Sequence, residues 1–120
     1  MMMMRTATAT EAHLPYPYEG PQELEESIEA ALRQVVDPEV ALTIVDVGLV
    51  YGVRVADKDV HVRMTMTSAA CPVTDVILAD VQVELDAVLP PDHSVHIDLV
   101  WEPPWSTDRL SPRAKLFMGW

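Results

Sequence analysis

A chain of 120 residues, 49% of them hydrophobic, is the right size for one domain with a modest core. Its 19 acidic against 8 basic residues give a net charge of −11, which opposes binding to nucleic acid or to an anionic membrane surface. The lone cysteine excludes an internal disulfide or a four-thiolate site within one chain.

No apolar stretch reaches the roughly 18 residues of a membrane span, and the opening segment lacks the apolar core of a secretion signal. The expected location is a reducing cytoplasm. The acid excess suits a basic protein partner or a cation, and equally suits simple solubility.

Residues 1–20 read as a disordered N-terminal tail, broken by Pro15, Pro17 and Gly20, with a single domain over 21–120. In "PQELEESIEAALRQVVDPEV", Leu24, Ile28, Ala31, Leu32 and Val35 recur at helical spacing, and Glu23, Glu25 and Glu26 suit the positive end of a helix. The spacing predicts a helix over 22–36, stopped by Asp37-Pro38. "VALTIVDVGLV" reads as an irregular connection into a first strand over 49–56. After the turn "ADKD", Val60, Val62, Met64 and Met66 alternate with His61, Arg63, Thr65 and Thr67, a second strand forming a hairpin with the first.

Beyond the loop "SAACP", Val73, Val76, Ile77, Val81, Leu85 and Val88 predict one buried face of a second helix over 72–88. A third strand carries Val95, Ile97, Leu99 and Trp101 on one face and His96 and Asp98 on the other. "EPPWSTDRL" is a loop that proline keeps from extending the strand. Ser111-Pro112 is an N-cap followed by proline at the first helical position, which predicts a short helix over 112–118. The fold class is α/β in two layers (α+β), of order α-β-β-α-β with a short C-terminal helix. A three-stranded sheet covered on one face by helices satisfies every amphipathic element.

Cys71 falls between the second strand and the helix opened by Pro72, at or next to the predicted N-cap. Free backbone N–H groups and the helix dipole lower a thiol pKa there, and a thiolate is a nucleophile or a soft-metal ligand. Ser68, Ala69 and Ala70 leave room for another molecule, and Thr65, Thr67, Ser68 and Thr74 bring hydroxyls. An inert buried cysteine fits the same pattern. Asp37, Glu39 and Asp46 could complete a mixed site or orient a proton donor; a turn aspartate and a solvated glutamate are the simpler account. His61 and His96 lie on polar strand faces, as sheet neighbours or simply exposed. Trp101 has the parity of a core cap, whereas Trp105, after the rigid Pro103-Pro104, suits either the core or a partner surface.

The blocks "VVDPEV", "TIVDVGLVYGV", "MTMTSAACPVTDVI" and "LVWEPPWSTDRLSPRAKLFMG", in this order, resemble those of the SufT/PaaD-like iron–sulfur cluster assembly domain family over about 24–119. The resemblance implies a compact two-layer α/β domain and an accessory role in assembling or transferring metal–sulfur clusters, rather than catalysis. It maps the family's reactive cysteine onto Cys71 and its acids onto Asp37, Glu39 and Asp46. The family's threonine before the cysteine loop falls on Thr67, with Ser68 beside it as a further supporting hydroxyl, and its Pro-Pro-Trp block, read as a partner surface, on Pro103, Pro104 and Trp105. It implies transient contact with iron or an iron–sulfur cluster rather than a resident cofactor. The implied partners are the assembly machinery or client metalloproteins, and a homodimer through a sheet edge or face is compatible with it. The alternatives are a maturation component of a multicomponent oxygenase and a thiol-dependent enzyme; for the latter, no resolving cysteine exists in the sequence.

Overall fold

The computed structural model describes residues 16–67 and 72–119. In chain order these form β1 (Tyr18–Glu19), α1 (Gln22–Leu32), β2 (Val36–Asp37), β3 (Leu42–Thr43), α2 (Ile44–Val47), β4 (Val50–Ala56), β5 (Asp59–Met64), α3 (Thr74–Val88), β6 (Ser94–Leu99), a 3-10 turn (Thr107–Arg109) and α4 (Pro112–Met118). The predicted order of two long helices and three main strands holds, as does the short C-terminal helix. Among the described residues no helix is long and apolar enough to cross a membrane.

The main sheet has the strand order β1-β4-β5-β6. β4 and β5 form the expected antiparallel hairpin, with Val53 opposite Val62 and Val55 opposite Val60. Its turn places Asp57 at φ 62°, a left-handed conformation that aspartate tolerates well. β6 lies parallel to β5, with Val60 beside Val95 and Val62 beside Ile97. Alternation then decides the layers. Val53, Val55, Val60, Val62 and Met64 are buried, together with Ile28, Ala31 and Leu32 of α1 and Ile77, Val81 and Leu85 of α3. The opposite face carries Arg54, His61, Arg63, His96 and Asp98. It holds an open hollow of about 450 Å³ bordered by Glu19, Gly52, Arg54, His61, Arg63 and Asp98.

Several expectations need correction. The sheet has a fourth strand, because Tyr18 and Glu19 pair with Val53 and Arg54. Residues 16–20 therefore belong to the domain: Tyr16 is buried and its hydroxyl donates to Glu29 Oε1 at 2.6 Å. The first helix ends at Leu32 rather than 36. Its last turn tightens through Gln34 N–H to Ala31 O and Val35 N–H to Leu32 O, and Val36 and Asp37 then pair with Thr43 and Leu42. The connection over 41–48 contains α2, capped by the Thr43 hydroxyl. On α3 only the narrow Ile77–Val81–Leu85 stripe is fully buried, whereas Val76 and Val88 are exposed at 53% and 40%. Trp101 is also exposed: β6 ends at Leu99, so strand parity does not extend to it.

Gly48 ends α2 at φ 81°, and a Cβ there would collide with the Arg109 carbonyl. Both facts demand glycine. Gly48→Ala is expected to cost at least about 2 kcal/mol, from left-handed strain plus a backbone clash, read as a lowered denaturant midpoint at unchanged m-value.

Burial, reinforced by the Glu29 carboxylate, holds the Tyr16 phenol protonated far above the ordinary tyrosine range. A raised pKa of this kind stabilises fully below the unfolded value of about 10 and is lost as pH rises beyond it. Tyr16→Phe should lower stability at neutral pH by about 1 kcal/mol and make the decline above about pH 10 shallower. Tyr18, also raised by burial, leaves a residual slope. Denaturant melts from pH 7 to 11 test both expectations.

Candidate functional site

Cys71 and Ser68 lie outside the described residues; their flanks do not. β5 runs out through Thr65 and Met66, both buried, to the half-exposed Thr67. On the far side α3 starts at Thr74 with Val73 as its N-cap, and Val73 offers no side-chain cap. The helix thus begins two residues later than predicted. Cys71 precedes the N-cap by two positions instead of occupying or adjoining it, because Pro72 and Val73 turn before the helix is entered. The Thr65 N–H donates to Leu49 O at 2.8 Å, which fixes the exit of β5 beside the residue that follows Gly48. The strand that leads to Cys71 is therefore anchored against the C-terminal end of α2.

Of the candidate acids, Asp37 and Asp46 are buried, at 2% and 4% exposure, and each is engaged in local structure. Asp37 Oδ1 accepts the Glu39 N–H at 2.9 Å, and its carbonyl accepts the N–H groups of Val40 and Ala41. This is an aspartate closing a turn, as its place before proline suggested. It lets Ala41 sit at φ 61° and brings β3 back against β2. Glu39 lies exposed on that turn.

Asp46 has a larger role. Its carboxylate accepts the Ser111 hydroxyl at 2.9 Å and the Thr43 hydroxyl at 3.2 Å, with the Arg33 guanidinium 3.7 Å away. Each hydroxyl uses its oxygen in turn to cap a helix. Thr43 Oγ1 accepts the Asp46 N–H of α2, and Ser111 Oγ accepts the Ala114 N–H of α4, both at 3.0 Å. A hydroxyl has one proton, so giving it to the carboxylate leaves the lone pairs for the helix amides. Arg33 also donates to Glu29 Oε2 at 2.6 Å, and Glu29 accepts the Tyr16 hydroxyl. One polar chain thus joins Tyr16, Glu29, Arg33, Asp46 and the two capping hydroxyls. Sequence spacing marked Asp46 and Ser111 separately. Their partnership across 65 residues had no local signal.

The Pro103-Pro104-Trp105 block folds back onto the same region. The Trp105 indole N–H donates to Val47 O at 2.8 Å, and the Tyr51 hydroxyl donates to Pro103 O. Arg109 stacks its guanidinium 3.8 Å above the Tyr51 ring. Trp105 is therefore half-buried and faces inward, while Pro103, Pro104 and Trp101 form the exposed part of the block.

His61 and His96 are neighbours across β5 and β6. Their rings stack at 4.9 Å, and His96 Nε2 lies 3.1 Å from Asp59 Oδ1. They sit on the outer face of the sheet, away from the helix layer. Among the described residues no group of three or more His, Cys, Asp or Glu side chains converges as a metal site.

Comparison with known proteins agrees with this arrangement. A family described as iron-sulfur cluster assembly protein matches residues 25–98. The Fe-S protein maturation auxiliary factor YitW of Bacillus subtilis is 44% identical over 98 residues, covering 80% of this chain and 94% of that protein. The Fe-S protein maturation auxiliary factor SufT of Staphylococcus aureus is 42% identical over 86 residues, covering 71% of this chain and 97% of that protein. Among solved structures, the domain of unknown function DUF59 from Bacillus anthracis superposes with a TM-score of 0.75 at 37% identity, covering 82% of this chain and 93% of that one. With two layers of the expected order, and with identity that spans nearly the whole of these relatives, the chain belongs to the iron-sulfur cluster assembly protein family.

Proposed function

We propose that this protein is an accessory factor in the maturation of iron–sulfur proteins, acting through Cys71 as a transient contact for iron, a cluster or a client, and not as an enzyme. The observation that carries the reading is the anchoring of the β5 exit to Leu49 by the Thr65 amide, which ties the strand that precedes Cys71 in sequence to the Asp46-centred scaffold. Relatives named as Fe-S protein maturation auxiliary factors support the same role. One thiol cannot hold a cluster alone, so the cargo is shared with a second chain or passed on. Thr67 and Ser68 would serve beside the thiol, and Glu39 is the exposed acid of the candidate set. Asp37 and Asp46 act on this reading as positioning residues, since their carboxylates already hold the turn and the helix caps. Pro103, Pro104 and the neighbouring Trp101 offer an exposed surface to the assembly machinery or to client metalloproteins.

Complementation separates the acting residue from the positioning ones. In cells lacking the endogenous factor, Cys71→Ala is expected to abolish activation of an iron–sulfur client while stability stays within about 0.5 kcal/mol of the parent. Full complementation by that variant would overturn the proposal. Asp46→Asn is expected to lower stability by about 1–3 kcal/mol through the weakened caps and the lost ion pair. Its complementation should return at reduced temperature. Loss of complementation by Asp46→Asn at unchanged stability would instead make Asp46 an acting residue.

A further inference from the structure

Among the described residues β6 is the terminal strand of the main sheet and pairs only with β5. The phase of its ladder follows from the bonds at its two ends. The Ser94 N–H donates to Lys58 O and the Val100 N–H to Met64 O, so the even-numbered residues bond β5. The N–H and C=O groups of Val95, Ile97 and Leu99 therefore point to the open edge. Natural sheets blunt such edges with lysine, proline or a bulge. "SVHIDL" has neither lysine nor proline, and its six residues pair with β5 without a break in register.

The side chains along this edge are self-complementary. In antiparallel pairing centred on Ile97, each Ile97 meets the other and Val95 meets Leu99 on the helix-covered face. His96, which already lies beside Asp59 of its own chain, meets Asp98 of the mate on the outer face, twice by symmetry. The backbone phase agrees, because Val95, Ile97 and Leu99 present their hydrogen-bonding groups outward and would form the bonded pairs. Asp98 lies beside Arg63 of β5 on this face but makes no ion pair within 4 Å among the described residues, so its carboxylate can meet the mate's imidazole. α3 packs over β6 and leaves Val76 and Val83 exposed at 53% and 63%.

We propose that β6 is a dimerisation edge: two copies of this chain pair their β6 strands antiparallel about a two-fold axis at Ile97, and the sheet continues through both. The occupant is a second copy because the pattern complements itself, with apolar residues opposite apolar ones and a histidine opposite an aspartate.

Sedimentation velocity of the full chain over a concentration series, paired with amide hydrogen exchange, tests this. The wild type should dimerise, with the Val95, Ile97 and Leu99 amides protected in the dimer and exposed on dilution. Ile97→Pro removes only an outward N–H and spares every β5–β6 bond, so it should sediment as a monomer with an unchanged circular dichroism spectrum. Asp98→Lys should weaken the dimer about 2- to 30-fold, the scale of two symmetry-related cross-strand pairs, and His96→Glu added to it should restore association. This reversal decides the matter should Ile97→Pro not fold. A wild type that stays monomeric, a dimer indifferent to Ile97→Pro, or no rescue by the reversed pair would overturn the proposal.

Discussion

The arrangement depends on the buried carboxylate of Asp46. Removing such a group from water costs several kcal/mol unless donors replace the lost hydration. Two hydroxyls and a guanidinium replace it, and each comes from a different part of the chain. Because the hydroxyls give their protons to the carboxylate, their oxygens face the amides at the starts of α2 and α4. A single negative group thereby sets two helix caps and, through the Ser111 N–H donated to its carbonyl, the return of the C-terminal segment. Arg33 extends the same constraint to Glu29 and Tyr16, and so to the edge strand β1.

The rigidity gained is directional. α2 is only four residues long, too short to persist by its own propensity. It is held by its caps, by the left-handed Gly48 and by the indole N–H of Trp105 on Val47 O. Leu49, just beyond, receives the Thr65 amide at the exit of β5. The position of the β5 exit thus traces back through Leu49 and α2 to Asp46. A polar network remote in sequence fixes where a strand ends.

How much of this was legible depended on whether the signal was local. The alternation of β5, the Ser111-Pro112 cap and the helical spacing of α3 are local patterns, and those elements fall within a few residues of expectation. β1, β2 and β3 have two residues each, and such short ladders exist only because tertiary partners present matching edges. α1 ends early for the same reason. Val35 and Val36 have helical spacing, but the extended pairing of Val36 with Thr43 prevails over propensity. Trp101 shared the parity of Ile97 and Leu99 yet sits beyond the end of β6, where parity has no meaning. For the candidate acids, the sequence marked the residues and not the structural roles their carboxylates play. Asp37 and Asp46 stood out as candidate acids, and only coordinates reveal that their oxygens are already engaged.

That engagement bears on cargo handling. Iron is bound well by free carboxylates, and a cluster of them beside a thiolate would make a site that stores metal. Asp46 is a poor ligand as folded: to coordinate, it must release two hydroxyls whose lone pairs hold helix amides, and that penalty falls on α2 and α4 together. Asp37 would likewise have to give up the turn that joins β2 to β3. With Asp37 and Asp46 committed to structural hydrogen bonds, neither is a ready carboxylate ligand for iron, which favours brief contact over retention. On the proposed reading this is the property a maturation factor requires, since cargo that bound tightly to the carrier would not reach a client.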